Sequence, residues 1–131
     1  MAQVVINRAR HPAYPKTICG VVFQGSERAS GCQFTFTCDG ALTRRYSEDA
    51  WQRARGIAID MLNGAVYRPV GLATHYHTDW VRPYWSPSLE KLAQVGSHLF
   101  FRWPGFWGSP RAMVGRVTGQ EPAIAQLATL S

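Results

Sequence analysis

The spacing of apolar residues predicts short helices first, then strands. Val4, Val5, Ile6 and Ala9 mark one buried face of a helix over 2–10. Pro12 and Pro15 end it, because the residue before a proline avoids the helical region. Thr17 is placed to cap a second short helix whose apolar positions are Ile18, Val21 and Val22, with Gly25 closing it. Residues 32–38 alternate, with Cys32, Phe34, Phe36 and Cys38 on one face and Gln33, Thr35 and Thr37 on the other. That pattern predicts a strand, followed by an Asp39-Gly40 turn. The clearest helix spans 48–62. Ser47 is its N-cap, Glu48 and Asp49 oppose the positive end of its dipole, and Asn63-Gly64 stops it. Its predicted buried stripe is Ala50, Ala54, Ile57, Ala58 and Met61. Strands are expected at 72–78 and 97–103. Between them a helix opens at Ser86-Pro87 and buries Leu89, Leu92 and Ala93. Residues 108–119 read as loop, and 122–130 as a marginal helix. The sum is α+β, with helices around a small β-hairpin or sheet.

Composition narrows the partners. The chain has 131 residues, enough for one domain, and 46% of them are hydrophobic, enough for a packed core. Fourteen basic residues face eight acidic ones, a net charge of +6 that favours an anionic partner. The basic residues are scattered rather than run together, which argues against a nucleic-acid arm. No apolar run approaches the roughly 20 residues of a membrane span. The first residues, Met1 to Asn7, do not have the pattern of an export signal. Cys19, Cys32 and Cys38 make an odd count, so at least one thiol is free or paired between chains. In extended chain Cys32 and Cys38 would lie about 20 Å apart, so a bridge between them requires a turn.

Two segments carry candidate chemistry. In the stretch Thr74 to Trp80, a strand would put His75, His77 and Asp79 on one face, a donor set that suits a transition metal. The competing reading has the histidines bonded to backbone or lining a groove. The second segment is aromatic. Tyr76, Trp80, Tyr84 and Trp85 crowd one stretch, and Trp103, Phe106 and Trp107 follow. Trp80 and Trp85 suit a ligand groove and plain packing equally, whereas core is expected for Phe34, Phe36, Phe100 and Phe101. Acid catalysis needs a carboxyl group with a raised pKa. Only Glu27, Asp39 and Asp79 lie in loop-like positions near these segments, and none has an apolar setting legible in the sequence.

Several blocks, in order, resemble the SleB-type cell-wall hydrolase family, which includes spore-cortex-lytic enzymes. They are Val4-Val5-Ile6-Asn7-Arg8, His11-Pro12-Ala13-Tyr14-Pro15, Ile18 to Gln24, Gly31-Cys32-Gln33-Phe34, Ala73 to His77, and Val95 to Phe100. The likeness runs over about residues 2–107. It implies a cell wall hydrolase domain over 1–107, a loop-rich tail over 108–131, and a lysozyme-like or lytic-transglycosylase-like fold. The implied partner is the peptidoglycan glycan strand, cut between N-acetylmuramic acid and N-acetylglucosamine, outside the cytoplasm. No metal or organic cofactor is implied, and no nucleic acid.

In this family a glutamate protonates the glycosidic oxygen, and in the lytic transglycosylase variant the muramic 6-hydroxyl attacks in place of water. That glutamate lies upstream of the Val-x-x-Asn-Arg block, ahead of Met1, so the chain taken alone is expected to be weakly active or inactive. The resemblance implies substrate contacts from Gln33, Phe34, His75, Tyr76 and Trp85, and leaves Asn7 to fix the end of its helix. Three readings stay open: a glycan-strand cleaving domain, a non-catalytic peptidoglycan-binding domain, and a metal-dependent hydrolase using His75, His77 and Asp79.

Overall fold

The computed structural model describes residues 1–25, 34 and 46–115. Among the described residues, three α-helices precede a three-stranded antiparallel sheet. The helices are α1 (Ala2–Arg10), α2 (Ile18–Val22) and α3 (Glu48–Leu62). The strands are β1 (His75–Thr78), β2 (Glu90–Val95) and β3 (His98–Arg102), in the spatial order β1-β3-β2. The expected strand over 32–38, the Asp39-Gly40 turn, and the helix over 122–130 lie outside the described residues.

Helix α1 is the centre of the packing. Val4 points into a cluster with Val70, Ala73 and Phe100, against which Tyr76, Leu92 and Val95 pack. Val5 and Ala9 point into a second cluster with Val21 and Phe34. Burying a valine side chain contributes about 1.5–3 kcal/mol, so each cluster gains from one side of the same short helix. Tyr76 touches both clusters and joins them.

Gln3, Asn7 and Arg8 of α1 are buried as well, which the apolar pattern does not anticipate. Gln3 Nε2 donates to the carbonyls of Tyr67 (3.1 Å) and Gly71 (2.7 Å), while its Oε1 accepts from Tyr67 N–H at 2.6 Å. Asn7 Nδ2 donates to Gly71 O at 2.9 Å and Ala73 O at 2.8 Å. Arg8 Nε donates to Thr74 O at 2.6 Å. Asn7 was expected to fix its own helix end; its side chain instead binds the chain entering β1. These bonds satisfy carbonyls that irregular backbone would otherwise bury unpaired. Gly71 supports this turn, with φ at 53°, where a side chain is strained.

Helices α2 and α3 begin where the sequence places them. Thr17 Oγ1 accepts from Gly20 N–H, and Ser47 Oγ accepts from Ala50 N–H. The buried face of α3 differs from its apolar stripe. Arg55 and Leu62 are buried, Ala58, Ile59 and Met61 are half-buried, and Ala54 and Ile57 are exposed. The face toward the protein therefore follows 55, 58/59 and 62. The long stem of Arg55 gives it apolar surface that a count of apolar residue types overlooks.

The expected helix after Ser86-Pro87 is absent. A 3-10 turn covers Ser86–Ser88 and leads straight into β2. Leu89, Leu92 and Ala93 have helical spacing in the sequence. In the strand, Leu92 and Val95 reach one cluster because a β-bulge between Lys91 and Ala93 shifts the alternation. Strand β1 starts at His75, later than the expected 72. Past Trp107 the chain makes a 3-10 turn at Pro110–Ala112, buries Ala112 and Met113, and donates from Gly115 N–H to Arg10 O at 2.9 Å.

Replacing Asn7 by alanine removes the side-chain donor to Ala73 O and one of the two side-chain donors to Gly71 O, an expected loss of about 1–3 kcal/mol. Asn7→Asp should be at least as damaging, because a carboxylate cannot donate to either oxygen. Urea unfolding of the two variants checks this, and a wild-type midpoint for N7D would refute the clamp.

Candidate functional site

Strand alternation separates the candidate residues of β1. Tyr76 pairs with Phe100 on the side facing α1, its ring 6.0 Å from Phe100 and 6.3 Å from Phe34. His75 pairs with Phe101 and His77 with Leu99 on the opposite side. His75 and Tyr76 therefore do not form one groove wall. Phe34 is only 2% exposed, a core position with no face free for a ligand. Gln33 lies outside the described residues.

The outer face of the sheet carries a band of rings. Trp85 lies 5.2 Å from His75, 5.6 Å from His77 and 5.5 Å from Phe101. His77 stacks on Phe101 at 5.0 Å. Trp103 meets His75 edge-on at 5.0 Å, and His11 lies 6.4 Å from Trp103 and 6.1 Å from Trp107. Trp80 is 73% exposed and Tyr84 95%, so the turn between β1 and the Ser86–Ser88 turn carries aromatic surface to solvent.

The metal reading required His75, His77 and Asp79 to converge. They do not: the Trp85 ring contacts both imidazoles, and Asp79 is exposed. His75 Nδ1 bonds to Thr74 Oγ1 (2.9 Å) and His77 Nδ1 to Thr78 O (2.7 Å). Among the described residues no three His, Cys, Asp or Glu side chains come together to hold a metal.

Behind β1 sits a buried cation. The Arg8 guanidinium lies 5.1 Å from the Tyr14 ring centroid and 5.2 Å from that of Phe34, cation–π distances. Burial pushes its pKa down, and the nearby Tyr14 and Tyr76 hydroxyls partly offset this. Burial raises the pKa of both tyrosines, with Arg8 opposing the rise, so both remain protonated donors at neutral pH. Tyr14 also feels the Thr74 hydroxyl and the Trp103 indole. Trp103 Nε1–H is buried, and its geometry closes no hydrogen bond with Tyr14 or another group. Burial, helped by the positive charge of Arg8 and by His11, lowers the His75 pKa from 6.5 to about 4. The ring is therefore neutral at pH 7.

The model of the cell wall hydrolase family matches residues 1–101. The chain belongs to the cell wall hydrolase family. Among its relatives are spore cortex-lytic enzymes. That of Halalkalibacterium halodurans is 31% identical over 76% of this chain and 27% of the relative. That of Oceanobacillus iheyensis is 30% identical over 76% of this chain and 32% of the relative. The chain thus spans about a third or less of the curated relatives it matches. Two solved structures share the fold. The catalytic domain of the germination-specific lytic transglycosylase SleB from Bacillus anthracis superposes with a TM-score of 0.59 at 27% identity, over 77% of this chain and 74% of that one. The catalytic domain of SleB from Bacillus cereus gives 0.57 at 27% identity, over 77% and 70%.

The α+β arrangement of helices around a small antiparallel sheet is thus the architecture of this cell wall hydrolase family. In the sequence Trp103 and Trp107 stand out as aromatic, with no visible connection to His11 or His75. The link is tertiary, because 96 residues separate His11 from the Trp107 carbonyl it contacts.

The His75 ring makes stability pH-dependent. Below pH 6.5 the unfolded chain binds a proton that the folded state refuses until about pH 4, so stability falls as pH drops through this window. His75→Asn should lose stability less steeply than wild type between pH 6.5 and 4. Thermal unfolding midpoints across that range measure it, and parallel curves would rule out a buried neutral imidazole.

Proposed function

We propose that this domain acts on peptidoglycan outside the cytoplasm, engaging a glycan strand for cleavage between N-acetylmuramic acid and N-acetylglucosamine. The observation that carries the reading is the aromatic face beside a neutral imidazole, His75–Trp85, in a chain that belongs to the cell wall hydrolase family. Indole and imidazole faces suit the apolar faces of sugar rings. The net charge of +6 favours an anionic polymer. Trp85 and His75 are groove walls in this reading, and Gln33 hydrogen-bonds an N-acetyl or hydroxyl group. Tyr76, packed between the two core clusters, supports the strand from behind.

The cleavage chemistry needs one carboxylic acid to protonate the glycosidic oxygen while water or the muramic 6-hydroxyl attacks the anomeric carbon. Glu48, Asp49, Asp60, Asp79 and Glu90 are all exposed, and Glu90 pairs with Arg102 at 2.9 Å. None of these stands in an apolar setting. The family resemblance assigns the acid to a segment preceding the Val4–Arg8 block. A second reading, binding without cleavage, is favoured by the same exposed carboxylates.

Purified sacculi incubated with this chain, and with a version extended upstream of the Val4–Arg8 block, separate these readings. The extended version should release muropeptides, and this chain should be retained on sacculi without releasing them. Trp85→Ala and Gln33→Ala should each weaken retention several-fold. Retention equal to wild type would remove those residues from the groove. Cleavage by this chain alone would place the acid among its own carboxylates.

A further inference from the structure

A pocket of about 380 Å³ opens between His11, Pro12, Ala13, Trp103 and Trp107. We propose that it is a subsite for one N-acetylated aminosugar ring of the glycan strand, an inference that rests on the peptidoglycan reading above. Three observations lead there.

First, the pocket is built. Ala13 N–H donates to His11 Nδ1 at 3.1 Å, which makes Nδ1 an acceptor and leaves Nε2–H to donate to Trp107 O at 2.8 Å. One buried imidazole thereby ties the Pro12–Ala13 wall to the Trp107 wall. Gly108 passes so close to the Trp103 carbonyl that a Cβ there would collide with it, which lets the 3-10 turn at Gly105–Gly108 bring Trp107 beside Trp103. A site fixed in this way loses little entropy when it is filled.

Second, the lining selects the occupant. The volume lies at the small end of the ~300–1,000 Å³ range of ligand sites, which suits one ring rather than a chain. Two indoles, a proline and an alanine offer apolar faces beside the His11 ring, and among the described residues no Asp, Glu, Lys or Arg side chain lines the space. That suits the CH face and acetamido methyl of a neutral sugar. The carboxylates of a stem peptide would find no partner there, so the peptide is the disfavoured occupant.

Third, the pocket continues the candidate site. Trp103 is shared: it lines the pocket and meets His75 at 5.0 Å, and His75 meets Trp85 at 5.2 Å. A linear polymer bound along Trp85 and His75 would reach the pocket with another of its rings. Trp103 and Trp107 lie beyond residue 101, where the family match ends. The two indoles of the subsite thus come from this chain's continuation, while His11, Pro12 and Ala13 lie within the matched residues.

The test uses calorimetric titration with chitotetraose, a neutral oligomer of N-acetylglucosamine, and with cellotetraose, which lacks the acetamido group. Two variants probe the pocket: Trp107→Ala, whose backbone carbonyl still receives His11, and Ala13→Phe, which fills the space from an exposed position. Circular dichroism and thermal melts confirm folding, and retention on sacculi is read separately. Wild type should prefer chitotetraose, and both variants should weaken it about tenfold, the size of one aromatic stacking contact. Wild-type affinity in both variants, or equal affinity for the two oligomers, would overturn the subsite while sacculus retention keeps the broader reading. Tight binding of a free stem peptide that W107A abolishes would overturn it in favour of the peptide. Failure of wild type to bind either oligomer or sacculi would remove both proposals.

Discussion

The hydrogen bonds from α1 to the chain entering β1 hold the rest of the molecule in place. Gln3, Asn7 and Arg8 supply donors to the carbonyls of Tyr67, Gly71, Ala73 and Thr74. This segment is irregular and buried at Val70 and Ala73, so its carbonyls need partners that neither a helix nor a ladder provides. The partners come from a helix more than 60 residues earlier. The result sets the height and angle at which β1 leaves α1, and so decides which side of β1 faces the core. A mismatch here would unpair several polar groups at once, at about 1–3 kcal/mol each.

With that side fixed, the strand sorts adjacent residues into different roles. Tyr76 joins the two apolar clusters, while His75 and His77 stand on the outer face among Trp85, Phe101 and Trp103. Arg8 reaches both worlds. Its Nε holds the Thr74 carbonyl, its guanidinium lies against Tyr14 and Phe34, and its charge helps keep His75 neutral. A neutral imidazole among indoles presents an apolar face with a polar edge. The outer face is thus shaped by the same helix that builds the core.

Membership of the cell wall hydrolase family fits this division. The matched residues supply the helix, the clamp and the strands, and the tryptophans just beyond the match extend the aromatic band. The described carboxylates stay at the surface, where helix starts and the Glu90–Arg102 pair account for several of them. An exposed ion pair of this kind contributes little to stability, so it decides neither the fold nor the chemistry.

Local features were legible in the sequence because their physics is local. Proline and capping residues bound α1, α2 and α3, and the alternation of His75 to His77 marked a strand. The family could be read from blocks such as Val4 to Arg8 and Ala73 to His77. What failed depended on partners far along the chain. Leu89, Leu92 and Ala93 have helical spacing, yet Leu92 and Ala93 lie on β2, where a bulge set by pairing with β3 brings Leu92 and Val95 to one cluster. The stripe of α3 misled because the stem of Arg55 packs inward while Ile57 faces out. The roles of Gln3 and Asn7 were hidden because a polar side chain reveals its partner only when the chain returns to it. His11, Trp103 and Trp107 formed a pocket for the same reason. Sequence determines which short segments order and how they begin and end; tertiary contact decides which face is buried and which distant rings become neighbours, since burial and pairing are properties of the whole chain.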